Sequence, residues 1–585
     1  MMNRSAKRSN TKHRIRRSLS ALGIGLLLCF PGCRLPKLQN AEAGAPLPND
    51  FNGAVTAESS AQIGWREFFD DPTLVVLVDQ AFAGNQELKI LGQRVRRANY
   101  EIMARRGAYL PFLGMRTGAS LEKPSLFTPL GAVEDQLQPV PGVGFPDPLP
   151  NFLVAADISW EIDIWRKLRN ARDAASLRYF ATREGQNYVV TRLVAEVAGN
   201  YYELMALDNR MEALNRTIEI QQQSLDASVR LKQAGRETEL AVQRFQAEVR
   251  KNESQRLIIQ QQIVEVENRI NFNLGRFPQR VARESSKFLE LNLPLLHVGV
   301  PSQLLRNRAD IRQAERELAA AGLDVRVARA RFYPSLNLTA TVGTEAFSTK
   351  YLFRSPESLV YGVAGELAAP LINRAAIKAD YLSANAMQLE KVYEYQRVVL
   401  RAFTEVINRL AKVANYGTSI EGKRQQLQSL EASVDSATKL FQAAHPGIEY
   451  MDILLAQRDL MEAKMGLIET KLEQVDAIID AYQALGGGAN QVPQGFFGID
   501  DDDRPPEEVN PPAGVGNPPP PFEIVPTYEP VRTPVDAETL PPAAEPQREA
   551  LPPAGDGNGA PQSLDANGAK ATTPAPPPAS SGGVM

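Results

Sequence analysis

The chain has 585 residues, of which 43% are hydrophobic, 23% charged and only 7% aromatic, and its formal net charge is −3. This length is too great for one compact core, so it predicts several domains or one elongated body. The near-zero charge excludes a strongly basic nucleic-acid binder. The two cysteines and three scattered histidines argue against a disulfide framework and a histidine-based metal site.

The N-terminus has the pattern of an export signal. Residues 1–32 contain seven Lys or Arg and no acid, and they end in an apolar run too short to span a membrane as a helix. Gly32 stands directly before Cys33, which resembles a bacterial lipoprotein signal whose cysteine becomes the lipidated, palmitate-bearing first residue. Ordinary cleavage nearby, with no role for Cys33, is the alternative. Residues 33–64 are predicted to be a linker.

The body then predicts a helix followed by two strands. Asp71 is a typical helix N-cap, and the helix that follows it is predicted to run to about Gly107. Residues 113–121 and 154–162 alternate between apolar and polar side chains, which is the period of a strand with two different faces. The segment 124–150 is dense in Pro and Gly and is predicted to be a loop.

A very long helix is predicted next. The stretch from Arg166 to Lys232 has no Pro and little Gly, and at about 1.5 Å per residue it would extend roughly 100 Å. Apolar residues recur in it at helical spacing, for example at Leu214, Ile218 and Leu225. This spacing favours antiparallel packing of the coiled-coil kind, which no ordinary globular domain needs at this length.

The second half of the body repeats the first. Two pairs of segments match in the same order at a near-constant offset, which indicates a tandem repeat of roughly 210 to 220 residues. The pairs are 104–118 with 327–343, and 234–249 with 445–460. We place the first repeat at 65–290 and the second at 291–490.

The second repeat predicts the same elements as the first. Residues 336–342 and 359–367 alternate as strands, and the loop between them is shorter, at about 346–358. A second long helix is predicted from about Ala375 to Ala444.

The four strands leave two interpretations open, because each has one apolar and one polar face. A half-buried sheet in a soluble protein explains them, and so does a membrane barrel with lipid outside and water inside. No stretch after the N-terminus reaches about 18 apolar residues, so only strands could cross a membrane in the mature protein. Aromatic residues suited to a membrane interface lie near the strand ends, at Tyr109, Phe112, Trp165, Phe332, Tyr333, Tyr351 and Phe353.

Residues 491–585 have a different composition. They hold about half of the 42 prolines and carry fourteen acids against four bases. Such a composition predicts a disordered acidic tail, either a spacer or a proline-rich ligand for a partner. The run Asp500–Asp503 is predicted to be solvated charge and not a metal site.

One segment makes a family resemblance specific. Residues 300–343 read VPSQLLRNRADIRQAERELAAAGLDVRVARARFYPSLNLTATVG, which resembles the signature of the TolC-like outer-membrane efflux family. Segments at 65–85, 157–175, 367–386 and 448–488 resemble the family in the same order. The resemblance therefore covers nearly all of the body.

The resemblance implies a mixed α/β membrane protein. In this family three copies, each giving four strands, close one twelve-stranded barrel in the outer membrane, and the long helices form a coiled-coil tunnel through the periplasm. It implies a homotrimer in outer-membrane lipid, with an inner-membrane transporter and a periplasmic adaptor as partners and no nucleic acid or cofactor. Small molecules would leave passively through the tunnel.

The resemblance also assigns residues to the two helix-turn-helix tips. Asp452 occupies the position of the carboxylate that lines the periplasmic constriction, where three copies would form a cation-binding ring. Capping of its own helix is the alternative role. The adaptor-facing tips would carry Gly235, Pro446, Gly447 and Tyr450. The sequence departs from the family pattern at Pro446 itself and at Ala241, Ala309, Ile448 and Leu455.

No metalloprotease, P-loop or serine-hydrolase motif is present, so we predict that the chain is not an enzyme. Two other functions stay open. One is a type I secretion conduit of the same fold that passes polypeptides. The other is a periplasmic structural coiled coil.

Overall fold

The structure is a computed structural model that describes residues 35–54, 56, 58–138, 141–236, 238–294, 296–442, 447 and 450–488. The helices are α1 (Trp65–Phe69), α2 (Pro72–Gly84), α3 (Gln86–Ala108), α4 (Pro129–Gln136), α5 (Lys167–Gln233), α6 (Glu239–Asn273), α7 (Leu304–Asn307), α8 (Ala309–Ala330), α9 (Ala375–Gln442) and α10 (Tyr450–Ala484). The strands are β1 (Phe112–Glu122), β2 (Leu149–Ile162), β3 (Ser335–Ala346) and β4 (Leu359–Ala368). Short 3₁₀ turns lie at Ser60–Gln62, Ser285–Glu290 and Pro301–Gln303.

The four strands form one antiparallel sheet in the order β1-β2-β3-β4. The register pairs Gly114 with Asp157, and Asp157 in turn with Thr341, so the polar positions of neighbouring strands share one face. The strands were predicted to within one residue of their ends, apart from an earlier start of β2 and a later end of β3, because their alternation is strict.

Each long helix packs against two shorter helices placed end to end. Helix α5 contacts α6 along one part of its length and α3 along another, and α9 contacts α10 and α8 in the same way. A side chain bridges each joint: Asn85 Nδ2 donates to the carbonyl of Asn273 at 2.9 Å, and Arg308 Nη1 donates to that of Ala484 at 2.7 Å. The two halves therefore repeat in structure as well as in sequence.

The main hydrophobic core lies where these joints meet the long helices. Phe68 of α1 stacks on Tyr482 of α10 with ring centroids 4.0 Å apart, and Trp65 packs edge-on against Phe82. Tyr202 of α5 is fully buried in the same cluster. Within the described residues, no helix is both long and apolar enough to cross a membrane.

Two predicted elements need correction. The helix predicted from Asp71 to Gly107 is interrupted, because Asn85 ends α2 and its side chain caps α3 by accepting from the Leu88 N–H at 3.0 Å. The segment predicted as a loop at 124–150 contains α4. Thr128 caps this helix in front of a proline at its first position, a start signal that the Pro and Gly density concealed.

Candidate functional site

The two faces of the sheet differ in chemistry. On one face, the Arg116 guanidinium lies 3.1 Å from the Asp157 carboxylate, which also accepts from the Thr341 hydroxyl at 2.7 Å. The opposite face is apolar and open in the single chain, with Met115 75% and Val363 82% exposed. A sheet with hydrogen-bonded polar groups on one face and bare apolar side chains on the other suits water on one side and lipid on the other.

Aromatic side chains gather where the strands meet the helices. The Trp160 indole N–H donates to the Tyr109 carbonyl at 3.1 Å. Trp165 donates to the Pro334 carbonyl at 2.7 Å and stacks on Tyr333 with centroids 4.8 Å apart. Rings that are apolar but carry one satisfied polar end fit a membrane interface.

Both the sheet and the helical part of the chain have two open edges, and the edges of the two parts correspond. Helices α3 and α6 pack on α5, and α3 leads into edge strand β1, whereas α9 follows edge strand β4. Large apolar side chains are exposed on the helices of both edges. On α3 and α6 they include Tyr100, Met103, Leu257, Ile258 and Phe272, and on α9 they include Leu382, Met387, Tyr393 and Leu400.

The first helix-turn-helix tip is built around Gly235. Its φ is +71°, a left-handed conformation that favours glycine. The Gly235 N–H donates to the Lys232 carbonyl and the Arg236 N–H to that of Leu231, which closes the end of α5 in a Schellman motif. Lys232 also pairs with Glu239, the first residue of α6, so the turn is fixed at both ends.

The second tip is described in part. Gly447 has φ +104°, and α10 begins at Tyr450. Asp452 lies exposed in the first turn of α10, where the helix dipole also favours a carboxylate. Pro446 lies outside the described residues. The Arg244 Nη1 atom of α6 contacts the Met451 sulfur at 3.4 Å, so the structure brings the two tips together.

The described chain begins beside the strand–helix boundary. Leu35 and Leu38 pack against Phe332 and Tyr381. Farther on, the Gln39 backbone and the Asn385 amide exchange two hydrogen bonds, of 3.0 and 3.3 Å. Cys33 lies outside the described residues.

An acidic cluster on α10 was not predicted. Glu473 and Asp480 pair with Lys412 and Arg409 of α9, at 2.5 and 2.7 Å, but Asp476 between them has a buried oxygen with no hydrogen-bond partner among the described residues. Burial, followed by the charges of Asp480, Glu473 and Glu203, raises the pKa of Asp476 to about 7. The sequence signal for this cluster is the i, i+3, i+7 spacing of the three α10 acids, which places them on one helix face.

Comparison with known proteins supplies the family. The outer membrane efflux protein family model matches residues 77–276 and 300–487. The chain is 29% identical over 430 residues to the solvent efflux pump outer membrane protein SrpC of Pseudomonas putida, covering 72% of this chain and 87% of that protein. It is 26% identical over 470 residues to the cation efflux system protein CusC of Escherichia coli K12, covering 79% and 97%.

The fold agrees with this match. The open-state MtrE outer membrane channel of Neisseria gonorrhoeae superposes with a TM-score of 0.67 at 22% identity, covering 78% of this chain and 98% of that one. The CusC crystal structure superposes with a TM-score of 0.66 at 24% identity, covering 78% and 100%. The chain belongs to the outer membrane efflux protein family, whose members are outer-membrane channels of efflux systems with a periplasmic helical part.

Proposed function

We propose that three copies of this chain close into one continuous duct across the outer membrane and periplasm. The proposal depends on one observation, which is that the sheet and the helical part have corresponding open edges. Strand β1 of one copy would pair with β4 of the next, and because the four strands alternate in direction, this pairing would be antiparallel like the others. In the helical layer, α3 and α6 would meet α9 of the neighbour. Such a head-to-tail contact forms a closed ring when the rotation closes.

The duct would be passive, and its cargo would be small molecules. The family is one of channels and not of enzymes, so the energy would come from an inner-membrane transporter joined to the duct by a periplasmic adaptor. The relatives named for solvent and cation efflux support small-molecule cargo over polypeptide secretion. The adaptor would contact the helix tips at Gly235, Pro446, Gly447 and Tyr450.

Lipidation of Cys33 fits the start of the described chain. Leu35, two residues after Cys33, packs beside Phe332 next to β3. An acyl chain on Cys33 would therefore lie close to the strand end at which the lipid face begins. The anchor would hold each protomer at the membrane in the correct orientation.

The detergent-corrected mass of the mature protein tests the ring. We expect light scattering after size exclusion to give three chains per particle in mild detergent. A stable monomer or dimer would overturn the duct, since four strands leave two edges unpaired and an eight-stranded barrel has an interior filled by side chains.

Asp452 would form the cation-selective ring at the periplasmic end, since three carboxylates near one axis attract cations. Asp452→Asn keeps the side-chain size and removes the charge. We expect it to reduce block of single-channel conductance by divalent cations at least five-fold in planar bilayers. Asp459→Asn, farther along the same helix, is the matched control. Equal block in Asp452→Asn and the unmodified channel would leave Asp452 with only its helix-capping role.

A further inference from the structure

Three cations on the neighbouring helices α9 and α10 bond to carbonyl, hydroxyl or amide oxygens. Lys423 Nζ donates to the Gly466 carbonyl at 3.0 Å and to the Thr470 hydroxyl at 2.6 Å. Lys471 Nζ donates to the Leu291 carbonyl at 2.5 Å and to the Gln474 amide oxygen at 3.2 Å. Arg424 donates to the Leu289 carbonyl at 3.4 Å. We call Lys423, Arg424 and Lys471 the cationic patch. No acid among the described residues pairs with any of these three side chains.

Lys471 is the unusual member of the cationic patch. It is only 4% exposed, and burying a charge is costly unless an opposite charge compensates it. Burial, followed by the charge of Arg424, lowers the pKa of Lys471. Two neighbouring bases on the same helices do have acids: Lys412 pairs with Glu473 at 2.5 Å, and Lys464 pairs with Glu431 at 3.1 Å. The cationic patch is therefore a place where an anion would be stabilised.

The chain carries a matching segment within reach. Beyond Gly488 the sequence soon reaches Asp500–Asp503, followed by Glu507 and Glu508, with Arg504 as the one base between them. Lys471 lies about 20 Å before the end of α10 at a rise of about 1.5 Å per residue. The dozen residues that follow Gly488 span up to about 40 Å when extended. The acidic segment 500–508 can therefore return along α10 to the cationic patch.

We propose that the acidic segment 500–508 docks on the cationic patch of its own chain. Its carboxylates would supply the counter-charge that the described residues do not provide to Lys471 and Arg424. Several adjacent carboxylates would face several cations, so their electrostatic attractions add together. Salt screens such attractions and should weaken the docking. The docked segment would fasten the start of the acidic tail to the α9–α10 surface.

Site-specific photo-crosslinking of the full chain in outer membranes tests the docking. A benzoylphenylalanine replaces Ile499, directly before the acidic segment, and peptide mapping of the product that migrates as a single chain on a denaturing gel identifies the partner. We expect crosslinks to peptides of the same chain that contain Lys423, Arg424 or Lys471. The yield should fall at least five-fold when Asp500–Asp503 are all changed to Asn, and also in 0.5 M NaCl.

Variants in the cationic patch distinguish a loss of charge from a loss of folding. Arg424 is exposed, so Arg424→Gln leaves the protomer folded and should lower the yield at least two-fold. Lys439→Gln is the matched control on the same helix, where Lys439 already pairs with Asp435 at 2.6 Å, and it should leave the yield unchanged. Crosslinks to a second copy, to another protein or to a different surface of this chain would overturn the proposal. The ring of three copies would be unaffected by that result.

Discussion

Arg308 is the residue that joins the two shorter helices of the second repeat to the long helix. It is 4% exposed and bonds to the Ala484 carbonyl at 2.7 Å, to Asp310 at 2.8 Å and to Glu405 at 3.1 Å. Arg308→Ala would leave two carboxylates and a helix-end carbonyl without their shared donor. We expect a loss of about 3 to 5 kcal/mol of stability per chain, which thermal unfolding measures.

The matched control for this prediction is Arg331→Ala. Arg331 and its partner Asp380 are each about half exposed, and exposed pairs contribute about 0 to 1 kcal/mol. Equal losses in the two variants would mean that Arg308 has no special structural role.

Asp476 predicts a pH-dependent stability. Its folded-state pKa of about 7 lies above the value of roughly 3.9 in unfolded chains. Stability therefore falls as pH rises from about 4 to 7 and stays lower above that. Asp476→Asn should flatten this part of the profile and stabilise the protein at pH 8 by about 1 to 3 kcal/mol per chain. Melting temperatures at pH 5 and 8 measure the effect.

Asp435→Asn is the control, because Asp435 lies exposed on α9 and pairs with Lys439. It should leave the pH profile unchanged. A profile that Asp476→Asn does not flatten would mean that the buried carboxylate is compensated in the folded protein.

At the scale of elements, the periodicity of apolar residues predicted the strands and the long helices correctly. The features that it did not predict are determined by tertiary contacts. The break at Asn85 follows from a side chain that caps one helix and bridges to the end of another, Asn273, far along the chain. The spacing of Glu473, Asp476 and Asp480 places these three acids on one face of α10. The burial of Asp476 without a hydrogen-bond partner, however, depends on α5, which packs beside it and brings Glu203 close. Spacing predicts which residues share a face and does not predict which neighbour covers that face.

The joint between α2 and α6 is a close backbone contact that a methyl group would disrupt. A Cβ atom on Gly84 would lie 2.0 Å from the Leu274 carbonyl oxygen, and the atom it would meet is backbone. We expect Gly84→Ala to cost about 1 to 3 kcal/mol through overpacking, measured by thermal unfolding. Gly107→Ala in α3 is the control, since a Cβ there meets no atom of the described residues within 4 Å. It should be neutral or stabilising by up to about 1 kcal/mol, and equal destabilisation by both would contradict the close-contact explanation.

At the scale of the whole molecule, the exposed apolar side chains divide by location. Those on the sheet face suit lipid, and those on α3, α6 and α9 lie on the helices at the two edges of the protomer. Soluble surfaces rarely expose apolar stripes of this extent. The protomer therefore has the surface of one part of a larger ring.

Phe272 tests this conclusion most directly. It lies on α6 and is 81% exposed, so a polar replacement removes few contacts within its own chain. In the ring it would be buried against the neighbour, where an unpaired carboxylate is costly. We expect Phe272→Glu to convert the trimer to monomers by light scattering in mild detergent, with the far-UV circular dichroism retained. Phe272→Leu keeps the apolar contact and should remain trimeric. A trimeric Phe272→Glu protein would show that α6 faces water in the assembly, and the pairing of α6 with α9 of the neighbour would then be wrong.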